Sequence, residues 1–280
     1  GIVLPVLRRI GFLQVVDVPR LYGFLRATLF RTSPCCPAVL RDISTVGLPG
    51  TQNMRTPQQL RDEFIASITH IRDATSRVLQ NSGPHGVLTA PDSHKIAEGL
   101  FLSAVTHWEE FCQALLILDI ATTPQSALLR DIKKFRTKNA PQRLAELLMT
   151  HVDHPNGFHD WSEFSRICAR ADAYLPANHR FAPPPPVPPA TKPPHSTALP
   201  TVVFEDLIKF KRIRNAVAHK TDKAWESFMG LVKGVPFNML PAKRRGITPG
   251  RFLVSQQWSG SIAIHHTFNT LENAAKTLVP

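Results

Sequence analysis

The chain has 280 residues, 43% of them hydrophobic, enough to bury a sizeable core as one large domain or two small ones and too many for a disordered chain. Its net charge of +12 calls for a polyanionic partner rather than an acidic surface function. No apolar run approaches the roughly 20 residues needed to span a bilayer, and four cysteines without a C-x-x-C pair argue against a disulfide framework or a thiolate zinc site.

Residues 1–53 show no sustained period. They hold six arginines and no lysine, scattered prolines and a Cys35–Cys36 doublet. The opening residues up to Leu4 meet Pro5, Arg8 and Arg9, which make a poor signal peptide, so a reducing cytoplasm is the expected setting. We expect this poorly patterned extension to be a fragment or upstream sequence read in frame, with the working protein beginning near Met54, the first methionine.

From there the patterning is helical. Thr56, Pro57 and Gln59 read as an N-cap, a first-turn proline and the third member of a capping box. Leu60, Phe64, Ile68, Ile71 and Val78 follow on one face, and residues 81–84 end the helix. A second, longer helix follows Pro91, with Ile96, Leu100, Ala104, Trp108, Phe111, Leu115 and Leu118 as its stripe and Phe101, Val105 and Leu116 beside it. This pattern predicts the central post of a bundle. Cys112 here, and Cys168 further on, read as small core residues. His107, Glu109, Glu110 and Gln113 fall off the seam and are expected on a solvated face, with Glu109 as a secondary site candidate.

Shorter helices are predicted over residues 124–135 and 141–150, and after an Asp160-x-x-Glu163 capping pattern that leads into Trp161, Phe164, Ile167 and Ala171. Residues 176–200 contain ten of the 25 prolines and predict an extended loop or linker. A helix then runs from Val202 to Ala218, and another follows Thr221 with Trp225, Phe228, Met229 and Val232. Residues 236–251 read as a loop presenting Lys243, Arg244, Arg245 and Arg251. Residues 252–254 read as extended, and a last helix from Ser261 carries Ile264, Phe268, Leu271, Ala275 and Leu278. The fold class expected is all-α.

Charge gathers in one place. Residues 201–251 hold eleven Lys or Arg against four acids, while residues 54–200 are nearly balanced. Within the basic segment stands Arg214-Asn215-x-x-x-His219. A guanidinium grips a phosphate through its planar fork, and an imidazole exchanges a proton near neutral pH. On an ideal helix, at about 100° per residue from Val203, the residues Leu207, Phe210, Ile213 and Val217 define an apolar stripe with Arg214 at about 20°, in its middle. Such an arginine must be paired or face a cleft. Asn215 and His219 project at about 120° and 160°, with Arg212 at about 180°. Arg214 and His219 thus stand about 140° apart on a straight helix. The projection demands a helix break, a wrapped pocket or a second subunit.

The Arg214–His219 spacing resembles the R-x4-6-H signature of the HEPN superfamily, and Trp108–Glu109 resembles the W-E pair of prokaryotic HEPN proteins. The likeness covers residues 56–120 and 201–234. It implies a HEPN-like helical bundle and a metal-independent endoribonuclease that needs no cofactor or metal. It also implies a homodimer with a composite cleft, in a toxin–antitoxin or phage-defence role with RNA as substrate and an antitoxin or other partner protein. In that reading Arg214 and His219 are catalytic and Asn215 orients the phosphate. Arg212, Lys243, Arg244, Arg245 and Arg251 bind the RNA backbone. One alternative is a non-catalytic HEPN binding or dimerisation module. Another is a metal-dependent phosphohydrolase using His151, Asp153, His154, His159 and Asp160.

Overall fold

A computed structural model describes residues 55–83, 86–124, 126, 161–182 and 198–280. The N-terminal extension, the helices expected over 124–135 and 141–150, the histidine–aspartate cluster of residues 151–160 and the prolines at 183–186 lie outside the described residues. From Asn53 to Pro280 the chain forms one compact unit.

That unit is all-α. Among the described residues its helices are α1 (Pro57–Gln80), α2 (Ala90–Thr122), α3 (Phe164–Tyr174), α4 (Thr201–His219), α5 (Asp222–Lys233), α6 (Pro241–Arg244), α7 (Pro249–Ser255) and α8 (Ala263–Leu278). α1 starts as its sequence requires: the Thr56 hydroxyl accepts from Gln59 N–H and the Gln59 side chain accepts from Thr56 N–H, with Pro57 behind the cap. α2 has a reciprocal box of its own between Thr89 and Asp92. With 33 residues α2 is about 50 Å long and packs against α1, α3, α4, α7 and α8. It is the central post.

The buried face of α2 differs from the predicted one at its start. Ile96 is exposed, and the seam begins at Ala97 and Phe101 before joining Ala104, Trp108 and Phe111. From Leu115 to Ala121 every residue is buried, so this end is surrounded on all sides. Cys112 and Cys168 are buried free thiols, as expected. α3 begins at Phe164 with Glu163 as N-cap, so Glu163 is not the third residue of a box capped by Asp160. Its carboxylate is drawn instead to Lys211 and Arg166.

The C-terminal third corrects the sequence reading three times, the first being that residues 236–251 are not one loop, since they hold α6 and the start of α7. Residues 252–254 are not extended: they lie in α7, capped by the Thr248 hydroxyl accepting from Arg251 N–H. Ser261 does not open the last helix. Ser261–Ile262 pair antiparallel with Gln257–Trp258 around Ser259 and Gly260, both at positive φ (49° and 86°), as a tight two-residue hairpin requires. α8 then starts at Ala263 with the expected core stripe buried. Trp225 of α5 is 41% exposed, with its ring beside Phe228.

Aromatic rings join the layers. Trp108 lies 5.9 Å from Phe64, 5.7 Å from Phe111 and 6.1 Å from Phe164, and Phe164 continues to Phe204 at 6.5 Å. A second group, Phe210, Phe228, Phe237, Phe252 and Trp258, binds α4, α5, α7 and the hairpin. Polar ties seal the outer seams. Arg72 reaches Glu272 at 2.8 Å between α1 and α8, and Arg180 reaches Asp119 at 2.6 Å and the Leu278 carbonyl at 3.2 Å.

α7 comes so close to α2 that its docking depends on a missing side chain. A Cβ on Gly250 would stand 2.3 Å from the His94 carbonyl oxygen and 3.0 Å from Glu98 Oε1, the atom that accepts Gly250 N–H. Gly250→Ala should therefore lower the unfolding free energy by about 1–3 kcal/mol. Gly99→Ala, in open space on the exposed face of α2, should raise it by roughly 0.5–1 kcal/mol through helix propensity. Urea unfolding of both variants checks the pair of opposite signs.

Candidate functional site

α4 is the helix that carries the motif, and it is uninterrupted from Thr201 to His219. It ends at Lys220, whose φ of 47° lies in the left-handed region. The turn is tight, because Thr221 already caps α5 by accepting from Ala224 N–H. His219 is thus the last helical residue and exposed, and Arg214 sits one and a half turns earlier.

The side chains meet. Arg214 Nη1 is 3.2 Å from His219 Nε2 and 3.4 Å from Asn215 Oδ1, and its Nε faces Glu109 Oε1 of α2 at 3.7 Å. The separation of about 140° on the helix surface therefore keeps nothing apart. An arginine side chain is long enough to curl around the helix face past Asn215. No break and no second subunit is needed to join the pair, which corrects the geometric argument made from Cα positions alone.

Two further expectations change. Arg214 is not central in the buried stripe. The buried residues of α4 are Phe204, Asp206, Leu207, Phe210, Ile213, Ala216 and Val217, which centre the stripe on the other side of Val217 and leave Arg214 on its edge, its side chain 27% exposed. Glu109 is not on a solvated face. Its side chain is 17% exposed and forms the ion pair with Arg214, because Trp108 next to it is drawn into the aromatic core and turns this part of α2 towards α4.

Chemistry follows from donor rules. A guanidinium only donates, so Nε2 of His219 accepts in this arrangement, which specifies the neutral tautomer with the proton on Nδ1. Among the described residues, Arg214 Nη2 makes no hydrogen bond. One cation, one imidazole lone pair, one amide and one carboxylate are thus assembled within one chain.

The remaining candidates separate. Arg212 is exposed and lines, with Asn215, a cleft of about 360 Å³ between the start of α3 and the face of α4. Lys243, Arg245 and Arg251 are exposed and Arg244 is half-buried. Lys243 and Arg244 lie on α6, Arg245 caps its end and Arg251 lies on α7, and α7 docks on α2 at Glu98. Arg214 meets α2 at Glu109, eleven positions or about 16 Å further along the axis. The basic segment and the Arg214 cluster are therefore not one site. Burial and the Arg251 guanidinium push the His94 imidazole below its ordinary value at that other end.

Sequence reasoning missed two groupings. Lys211 crosses from α4 to the α3 cap, its Nζ 2.8 Å from Glu163 Oε2. Asp206, buried at 3% exposure, receives Lys209 Nζ at 2.8 Å and His266 Nε2 at 2.7 Å, and the His266 ring stacks on Trp258 at 4.7 Å. The helical projection held the signal for Asp206, since it falls at about 300°, between Ile213 and Val217. No short motif marks Glu163 and Lys211, which are 48 residues apart.

No family model, curated protein or solved structure matches the chain. The physical reading of the site stands on its own geometry.

Burial pushes the Asp206 carboxyl up, but hydrogen bonds from His266 and Lys209, with the charges behind them, hold it below its ordinary value of 3.8. A carboxyl depressed in the folded state stabilises the fold above the unfolded value and loses that contribution as pH falls through the folded value. Asp206→Asn should cost about 1.5–3 kcal/mol at neutral pH. The gap between variant and wild type should shrink below about pH 4, read as Tm against pH.

Proposed function

We propose that the chain is an endoribonuclease of the HEPN type that acts without a metal ion, in the cytoplasm, in a toxin–antitoxin or phage-defence role. The observation that carries this reading is the contact of Arg214 Nη1 with both His219 Nε2 and Asn215 Oδ1, backed by Glu109. The motif spacing, the resemblance and the excess positive charge of residues 201–251 support it.

The chemistry uses the RNA's own hydroxyl. The 2′-oxygen bonds to the adjacent phosphorus, the bond from phosphorus to the 5′-oxygen breaks, and a 2′,3′-cyclic phosphate and a 5′-hydroxyl result. The incoming phosphate draws the Arg214 guanidinium onto its oxygens, where the fork neutralises charge building in the transition state. That movement releases the Nε2 lone pair of His219, which takes the 2′-hydroxyl proton as general base. Solvent protonates the departing 5′-oxygen, and the imidazolium later returns its proton to solvent. Asn215 orients a phosphoryl oxygen, and Glu109 holds the guanidinium's Nε side. Arg212 meets the RNA backbone at the cleft, with Lys243, Arg244, Arg245 and Arg251 engaging it further along. A homodimer and an antitoxin belong to this reading as partners.

The test compares the full chain with Arg214→Ala and His219→Ala on single-stranded RNA in EDTA. Wild type should yield fragments with cyclic phosphate ends. Each variant should cut slower by about 100-fold or more, with unfolding free energy within about 1 kcal/mol of wild type because both side chains sit at the surface or its edge. Variants that cut at the wild-type rate, or activity abolished by EDTA alone, would sink the mechanism. RNA binding without cleavage would leave a non-catalytic HEPN module.

A further inference from the structure

Of the residues lining the cleft beside Asn215, only Arg212 and Asn215 itself meet RNA in the mechanism above; the rest of the lining has no role there and is unlike a phosphate groove. Phe204, Leu207 and Ile208 of α4, with Phe164 of α3, give it an apolar wall. Lys211 and Glu163 put a cation and a carboxylate side by side within it. At about 360 Å³ it falls in the range of small-molecule sites, roughly 300–1,000 Å³, and suits one nucleotide rather than a duplex.

We propose that this cleft binds a guanine base of single-stranded RNA, with the Glu163–Lys211 pair reading its Watson–Crick edge. The inference rests on the endoribonuclease reading for its substrate class. The recognition is a matter of donor order. Guanine presents two adjacent donors, N2–H and N1–H, followed by the O6 acceptor. The two oxygens of Glu163 followed by Lys211 Nζ offer acceptor, acceptor, donor in register. Adenine and cytosine lack a pair of adjacent donors on that edge, and uracil has one N–H between two carbonyls. Sequence-specific RNA recognition commonly takes an unstacked base on its Watson–Crick edge against an apolar or aromatic surface.

Glu163 has the capacity. A carboxylate offers about four lone-pair sites, and three are engaged here, by Lys211 at 2.8 Å, Arg166 at 3.1 Å and Ser165 at 3.0 Å. Arg166 is the partner that yields, since its side chain is 57% exposed and such surface pairs are weak. The hydrogen bond from Lys211 also holds the Glu163 carboxyl below its ordinary value, which keeps it an acceptor.

Position links the subsite to the scissile phosphate. Lys211 and Asn215 are one helical turn apart, about 6 Å along α4. Asn215 both lines the cleft and touches Arg214. A base held at Lys211 therefore leaves its own 3′-phosphate beside Asn215, Arg214 and His219. Cleavage should fall on the 3′ side of guanosine.

Calorimetric titration of the full chain with 3′-GMP, 3′-IMP, 3′-AMP and 3′-UMP tests this without relying on turnover. GMP should bind about tenfold or more tighter than AMP or UMP, with IMP, which lacks the 2-amino group, in between. Glu163→Gln and Lys211→Met should each erase the preference while circular dichroism stays helical. The ranking on wild type needs no variant, so a folding defect in either one leaves the test intact. Equal affinity for all four nucleotides, or no binding, overturns the proposal. RNA cleaved at every base alike overturns it while sparing the nuclease reading. Guanine-selective binding by a chain that cuts no RNA upholds the subsite and removes the nuclease.

Discussion

The packing of Trp108 against Phe164, and of Phe164 against Phe204, is the contact on which the candidate site depends. These three rings come from α2, α3 and α4, so burying them sets the rotation of each helix about its axis. Large aromatic side chains bury more area than any other type and prefer tilted or edge contacts, which makes them stiff spacers between helices. Once Trp108 is turned inward, Glu109 follows along the α2 backbone and faces Arg214. Once Phe164 is buried, Glu163 is left at the helix cap within reach of Lys211. The polar groups are placed by the apolar ones beside them.

Charge in this protein sits mostly at the margins of the core, and among the described residues the buried acids Glu98, Asp119 and Asp206 are the exceptions. Arg214, Glu109, Lys211 and Glu163 are all partly exposed, where pairing costs little desolvation and the partners can exchange. Asp206 is the most buried of the three acids, matched by hydrogen bonds from Lys209 and His266, whose ring stacks on Trp258. The contrast fits a division of labour along α4. Its first half is tied to α8 and the hairpin through Asp206 and Phe210, while its second half ends in the partly exposed Arg214–His219 pair. The left-handed Lys220 and the immediate cap at Thr221 hold that end in place without burying it.

The cleft and the Arg214 cluster are two parts of one face, joined through Asn215. The basic residues of α6 and α7 are at the far end of the post. Excess charge in a stretch of sequence thus need not mean one patch in space, because α5 and the turn after it carry the chain away before Lys243 appears. Long-range attraction of a polyanion does not require adjacency, whereas chemistry on a phosphate does.

Most of the long helices, the Thr56–Gln59 cap and much of the core are legible in the sequence, whereas α6, α7 and the Thr89–Asp92 cap are not. A helix's period and its caps are local, so Thr56 and Gln59, or the spacing of Ile264, Phe268 and Leu271, are readable without knowing what they pack against. The sequence also marked Arg214, Asn215 and His219, because their spacing along one helix is local too. Only the tertiary structure decided what those side chains do. Placing Cα atoms on a wheel kept Arg214 and His219 apart, while the length of the arginine brought them together. Glu109 is separated from Arg214 by 105 positions, and Glu163 from Lys211 by 48, so neither pairing leaves a periodic trace. Such contacts arise from how helices rotate against one another, and that rotation is set by the summed packing of the whole core.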